Sequence, residues 1–399
     1  MAQPATCLED VVKWTLGEGK LLRLRDLIPG FCQRLQEAGV PVRRCSLHIR
    51  QLHPQFYTRG FFWCQGEAQA KETPREHGIE KSPIFLDSPL RIVYENHRDV
   101  RRRLLDPATP RDFPILRELE ELGITDYLVK WLPFRGGNEQ AITLATDHPE
   151  GFSDRHLKML DTALPAFAAV AELINLERMS RVLLQTYVGR STGDQVNAGK
   201  VKRGDVSRLR AVLLYSDLRG FTQLSESHSG EDMVELLNQY FETVSKPFTD
   251  AGGEILKFIG DAMLAILPVN GDGDGAVRQT CETALAAAEE AVACLSRLNG
   301  ERRQAGRPVI NAGLALHVGE VLYGNIGTRD RLDFTVIGHA VNLVSRIEHF
   351  CAEAGHSMVL SADFVRTAQI PARSLGKHRL KGIATPQEIF APASNSRTA

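Results

Sequence analysis

The chain has 399 residues, 43% hydrophobic and 24% charged, with a formal net charge of −1. That length exceeds one ordinary core, so two domains joined by a connector are expected, and the apolar fraction suffices to fill a core in each. Near-neutral charge supplies no chain-wide field to gather nucleic acid or an anionic membrane surface, which sets those partners aside. The seven cysteines (Cys7, Cys32, Cys45, Cys64, Cys281, Cys294, Cys351) are scattered, with no CxxC pair or neighbouring histidine at zinc-like spacing. A reduced, cytoplasmic setting is expected. No run of roughly 18 apolar residues is read as a membrane span, and no signal-peptide pattern opens the chain.

Residues 1–150 mix helical stretches with apolar runs such as Cys45 to Ile49 and Phe61 to Cys64, broken by Pro and Gly, and read as an α+β domain. Arg101, Arg102 and Arg103 form a short basic run that a solvated helical face explains better than an anion site. After Gly151-Phe152-Ser153-Asp154, where Ser or Asp is the expected N-cap, apolar residues recur at Leu157, Leu160, Leu164, Phe167, Ala171 and Ile174. This stripe suits either a helix pairing with a second copy of itself or an amphipathic helix packed on its own domain, with Pro165 expected to kink or interrupt it. Residues 188–205, punctuated by Gly189, Gly193, Gly199 and Gly204, read as the end of a connector over 151–205.

A new domain is expected from Val206 to about residue 391, with alternating elements: a strand at Arg210 to Ser216, a helix at Asp232 to Ser245 and a hairpin over Gly253 to Leu267. A long helix over 276–298 and a strand from Val309 to His317 complete an α/β or α+β class with an open sheet. Residues 392–399 read as a disordered tail.

The strand Ala211 to Tyr215 runs into Ser216-Asp217-Leu218-Arg219-Gly220-Phe221-Thr222, which leaves a carboxylate where a buried strand ends. In the hairpin, Phe258-Ile259-Gly260-Asp261 puts a second carboxylate at the turn, and the two converge if the hairpin lies beside the first strand. Converging carboxylates are hard oxygen ligands for Mg²⁺ or Mn²⁺ that leave positions open for phosphates. Spacing alone favours a plainer account, in which Asp217 caps a helix and Asp261 serves the turn. A helix starting after Gly220 aims free N–H groups at the same place. Asn342 and Arg346, four apart, project from one helix face as a neutral donor and a fixed cation.

Asp217-Leu218-Arg219-Gly220-Phe221-Thr222, Lys257-Phe258-Ile259-Gly260-Asp261, His317-Val318-Gly319-Glu320-Val321 with Gly324, and Phe334-Thr335-Val336-Ile337-Gly338 followed by Val341-Asn342 together resemble class III adenylate and guanylate cyclases. The resemblance covers residues 206–391, with several motifs in register. It implies a ferredoxin-like, palm-type catalytic domain in which Asp217, Asp261 and the Leu218 carbonyl hold two Mg²⁺ or Mn²⁺ ions. It further implies that Lys257 and Thr335 select the purine, that Arg331 meets the triphosphate, with Gly220, Phe221 and Thr222 beside it, and that Asn342 and Arg346 stabilise the transition state. The reaction implied is attack of the ribose 3′-oxygen on the α-phosphorus with loss of pyrophosphate, in a head-to-tail homodimer.

An ammonium at Lys257 and a hydroxyl at Thr335 suit the ring acceptor and amino donor of adenine, whereas a guanylate cyclase is expected to carry an acid in place of Lys257. ATP is the expected substrate, with cyclic AMP signalling as its consequence. His339 departs from the acid often found there and adds a titratable group, and Thr335 resembles the subset in which bicarbonate sensitivity has been proposed. Asn270 to Gly275 imitates a calcium loop, but its twelfth position is Cys281 and a loop into a helix is expected. His317, read at a strand end, is expected to be packed. The N-terminal half loosely resembles GAF-type sensor domains found before bacterial cyclases, so a small-molecule or protein signal acting through the connector is expected. The alternatives are a catalytically silent cyclase-like dimerisation module, a guanylate cyclase, or a diguanylate-forming enzyme, whose Gly-Gly-acidic-acidic-Phe turn is absent.

Overall fold

The computed structural model describes residues 7–135 and 140–393. The chain divides into two compact units, Met1–Leu183 and Leu184–Ala399. Of the expected tail, residues 394–399 lie outside the described residues, while Pro392 ends the last strand.

The first unit opens with α1 (Leu8–Leu16) and α2 (Leu24–Glu37), then β1 (Arg44–Arg50), β2 (Phe56–Cys64) and β3 (Lys71–Glu76). Next come α3 (Pro83–Leu86), α4 (Pro89–Asn96), β4 (Val100–Arg103), α5 (Ile115–Glu121), β5 (Asp126–Trp131), β6 (Gln140–Thr146) and most of α6 (Asp154–Val188). Its antiparallel sheet runs β3-β2-β1-β6-β5-β4. Strand alternation sends Cys45, Leu47 and Ile49 of β1 into a core with α1, α2 and α6, while Val129 and Ala141 pack under α4 and α5 on the other face.

The arginine run is not a helical face. It forms the edge strand β4, where Arg101 pairs with Asp126 at 2.6 Å and Arg102 with Asp112 at 2.5 Å, while Arg103 donates to the Glu150 carbonyl. Asp126 is fully buried and also accepts from the Phe152 N–H at 3.0 Å. Removing the cation leaves a buried charge, so Arg101→Ala is expected to destabilise the first unit by about 3 kcal/mol. Urea unfolding followed in that unit checks this.

Helix α6 starts after Ser153, whose Oγ accepts from the His156 N–H at 3.3 Å. It continues through Pro165 rather than breaking. Leu160, Ala163, Leu164, Phe167, Ala168, Val170 and Ala171 are all buried around the proline, and that burial outweighs the about 3 kcal/mol a mid-helix proline costs. The stripe read in the sequence is therefore spent on the helix's own domain. Against the expectation of no spanning run, α6 is long and apolar enough to cross a membrane by length and composition, with mean hydropathy 1.4 over its apolar window. That window is 56% buried inside the protein.

The second unit starts before the expected Val206. It takes in α7 (Arg190–Asn197), then β7 (Val206–Leu218), α8 (Phe221–Ser227), α9 (Gly230–Asp250), β8 (Glu254–Ile259) and β9 (Ala262–Pro268). There follow α10 (Asp274–Gln304), β10 (Ala312–Gly327), β11 (Leu332–Ile337), α11 (His339–Glu353), β12 (Met358–Ser361), α12 (Ala362–Ala368), β13 (Ala372–His378) and β14 (Gln387–Pro392). Part of the expected connector packs within the second unit: Thr192 of α7 is buried, its Oγ1 lies 2.8 Å from the Tyr323 hydroxyl and its N–H donates to Glu254. Residues 270–275 lead into α10, with Asp274 as its first residue.

Eight strands form the sheet, in the order β13-β14-β12-β10-β7-β9-β8 with β11 on β10. Within it β7-α9-β8-β9-α10-β10 gives the strand order β10-β7-β9-β8, the split βαβ ferredoxin-like arrangement. β7 is buried on both faces: Val212 and Leu214 pack under α9, α10 and α12, and Ala211 and Leu213 under α11. His317 does not end a strand. β10 runs on to Gly327 because it pairs first with β7, from Leu218↔Ala312 to Val206↔Gly324, and then with β11. His317 is 3% exposed, and burial lowers its pKa to about 4, with Nδ1 2.9 Å from the Ser361 Oγ.

Candidate active site

Two strand ends create the centre of the site. Asp217 is the penultimate residue of β7, and antiparallel register sets it opposite Ala262, the first residue of β9. The preceding turn is Gly260-Asp261, closed by the Ile259↔Ala262 pair, and Gly260 takes φ +65° to make it this tight. The hairpin therefore lies beside the first strand, and Asp261 stands next to Asp217. Burial, and then the charge of Asp261, raise the Asp217 carboxyl above the usual carboxylate range. Its Oδ1 is buried with no hydrogen-bond partner among the described residues. Two adjacent carboxylates, one with an orphaned oxygen, fit a divalent cation through hard oxygen donors. Leu218, the last residue of β7, puts its backbone at the same strand end.

Gly220 adopts a left-handed conformation, φ +71° and ψ 20°, which lets the chain turn sharply from β7 into α8. Phe221 packs partly on the core below, and Thr222 is exposed.

Behind Asp217 lies an acid that the sequence reading passed over. Glu348 on α11 is 2% exposed, and its Oε1 has no hydrogen-bond partner among the described residues. Gly313 of β10 pairs with Asp217, and a Cβ there would come within 2.4 Å of the Glu348 Oε1, so this position has no room for a side chain. Arg219 turns back to donate to the His356 and Cys351 carbonyls. Burial, and then the charge of Asp217, raise Glu348 to about 8, against the opposing pull of Arg219. The only sequence signal was an acid inside the buried stripe Leu343, Val344, Ile347 of α11.

The folded state thus keeps a proton on Glu348 that the unfolded chain releases from about 4.5 upward, so this group's contribution to stability falls as pH rises toward about 8. In metal-free buffer, Glu348→Gln is expected to gain on the order of 2 kcal/mol relative to wild type between pH 5 and pH 8.5. Calorimetry at both pH values checks this, and an equal gap at the two would refute it.

The remaining expected residues lie on other elements of the unit. Lys257 on β8 is paired with Asp333 on β11, a partner the sequence reading missed, and Thr335 lies two residues further along the same strand face. Arg331 precedes β11, exposed, with its N–H on the Thr328 Oγ1 at 3.1 Å. Asn342 and Arg346 are exposed on α11, and neither side chain has a hydrogen-bond or ion-pair partner among the described residues. His339 is the exposed first residue of that helix. Among the described residues, no hydrogen bond or ion pair joins the Asp217 and Asp261 carboxylates to Lys257, Asn342 or Arg346.

Known proteins resemble the second unit. Residues 207–390 match the adenylate and guanylate cyclase catalytic domain. An adenylate cyclase of Anabaena cylindrica is 34% identical over 175 residues, 43% of this chain and 33% of that protein. Adenylate cyclase 1 of Rhizobium meliloti is 29% identical over 185 residues, 46% of this chain and 27% of that protein. The chain thus spans a third or less of the length of these relatives. A bacterial light-regulated adenylyl cyclase structure shares the fold at 18% identity, with a TM-score of 0.50 over 71% of this chain and 93% of that one. Residues 207–390, the stretch that carries Asp217 and Asp261, are thereby identified as a class III adenylate and guanylate cyclase catalytic domain.

Proposed function

We propose that the second unit converts ATP to 3′,5′-cyclic AMP and pyrophosphate in a head-to-tail homodimer, in the cytoplasm and under control of the first unit. The observation that carries this reading is the meeting of Asp217 and Asp261 at the β7–β9 strand ends, with a buried carboxylate oxygen left unpaired.

Asp217, Asp261 and the Leu218 carbonyl would hold two Mg²⁺ or Mn²⁺ ions. Those ions supply a lowered pKa for the attacking hydroxyl and neutralisation of the charge that builds on the phosphates. The N–H groups after Gly220, at Phe221 and Thr222, face the phosphates, and Arg331 pairs with the triphosphate. Lys257 donates to the adenine ring nitrogen, and Thr335 accepts from the exocyclic amine. Asn342 and Arg346 stabilise the crowded phosphorus as the 3′-oxygen bonds to it and the bond to pyrophosphate breaks. The hydroxyl proton leaves to solvent, and no side chain becomes covalently attached.

One observation favours guanine as a second substrate. The Lys257 partner is the carboxylate of Asp333, and a carboxylate is an acceptor suited to the N–H groups of guanine. Assays with ATP and GTP, each with Mn²⁺ and Mg²⁺, decide between them. ATP is expected to be preferred by at least about tenfold in kcat/KM, and Asp333→Ala is expected to widen that preference. Equal use of both nucleotides would overturn the assignment to ATP, and no product from either would leave a silent cyclase-like module.

A further inference from the structure

A cavity of about 500 Å³ opens in the first unit, on the sheet face opposite α1 and α2. The strand alternation that buries Cys45, Leu47 and Ile49 turns Arg44, Ser46 and His48 toward this face, where Thr143 of β6 and Tyr127 of β5 join them. The residues of α3, α4 and α5 roof it with apolar side chains, among them Phe85, Leu90, Ile115 and Leu119. Such a volume, with mostly apolar walls and a few convergent polar groups, has the make-up of a small-molecule site.

The polar groups are specific. The Ser46 Oγ lies 2.6 Å from the Thr143 Oγ1 and 2.9 Å from the His48 Nε2. Burial, and then the charges of Arg75 and Arg44, lower His48 to about 4, so the imidazole is neutral beside the two guanidinium groups. Arg44 is already paired at 2.9 Å with Glu118, itself on the cavity wall, whereas Arg75 there has no ion-pair partner among the described residues. Asp87, also on the wall, is exposed at the turn between α3 and α4 and is absent from the charges acting on His48. The Ser88 Oγ, also on the wall, is buried with no partner. Ile84 stands on the roof 70% exposed, an apolar side chain left in water at the cavity.

We propose that this cavity is a binding site for an apolar small molecule bearing one anionic group, its carboxylate-like end against Arg75 and the Ser46–Thr143 hydroxyls and its apolar body under α3 and α4. Arginine gives such an anion a charge-assisted, directional contact, and the neutral imidazole and hydroxyls supply polar contact without a competing negative charge. The site stands on the first unit alone and does not depend on the cyclase reading.

Titration calorimetry of the full chain tests it with naphthalene-2-carboxylate and the matching neutral alcohol, 2-naphthalenemethanol. The carboxylate is expected to bind once per chain and at least about tenfold more tightly than the alcohol. Arg75→Gln, on an exposed position that spares the fold, is expected to erase that preference while leaving the alcohol unchanged. Leu90→Trp, which fills the space under the roof, is expected to abolish binding of both. No saturable binding of either probe, equal affinity for the two, or a carboxylate affinity untouched by Arg75→Gln would each overturn the proposal.

Discussion

Asp217→Asn and Asp261→Asn are each expected to lower cyclic nucleotide formation on the order of a thousandfold, because cation-mediated charge stabilisation is worth several kcal/mol and each 1.4 kcal/mol is tenfold in rate. The substitution keeps shape and removes charge, so the loss is expected in kcat more than in KM. A second readout separates a lost cation site from a lost fold. Mn²⁺ is expected to raise the Tm of wild type by mass action, and not that of either variant. Without metal, Asp217→Asn is expected to be at least as stable as wild type, since it removes a half-buried charge held beside Asp261. An inactive variant that still gains stability from Mn²⁺, or an active one, would sink the assignment of these carboxylates.

The convergence behind this prediction was legible because it depends on short-range pattern. An apolar strand ending at Asp217 and a hairpin closing on Gly260-Asp261 are local features, and only their adjacency needed the sheet. The long alanine-rich helix and the helix after Ser229 were legible for the same reason, through their period, although both run several residues further than their apolar patterns indicate.

What failed was context. Gly193 looked like linker composition, yet a Cβ there would come within 2.9 Å of the Gln185 backbone, so the glycine marks close packing of α7 rather than a loose chain. Three consecutive arginines looked like a solvated face because their acceptors, Asp126, Asp112 and the Glu150 carbonyl, are distant in sequence. The Lys257–Asp333 pair is 76 residues apart, and Glu348 meets the surroundings of Asp217 only through the packing of α11 on β7 and β10. No periodicity reports such pairs. The cavity of the first unit is built from five strands and three short helices, none of which carries a motif.

Two variants that are each inactive are expected to recover activity when mixed. Asp217→Ala retains Lys257, Thr335, Asn342 and Arg346, while Arg346→Ala retains both carboxylates. If each site takes its carboxylates from one chain and its α11 pair from the other, a mixed dimer rebuilds one intact site of two. Random mixing makes about half of the dimers mixed, so roughly a quarter of wild-type activity should return. The basis in the fold is that Asn342 and Arg346 are exposed and, among the described residues, neither side chain has a hydrogen-bond or ion-pair partner, Asp217 and Asp261 included. A helix four-residue pair left bare in this way is complete only when another surface supplies the phosphorus it would stabilise. Recovery should rise with total protein concentration and saturate as dimers form, whereas a site completed within one chain predicts no recovery at any ratio. An assay of cyclic AMP across mixing ratios, with each variant alone as baseline, distinguishes the two, and a flat line would end the shared-site reading.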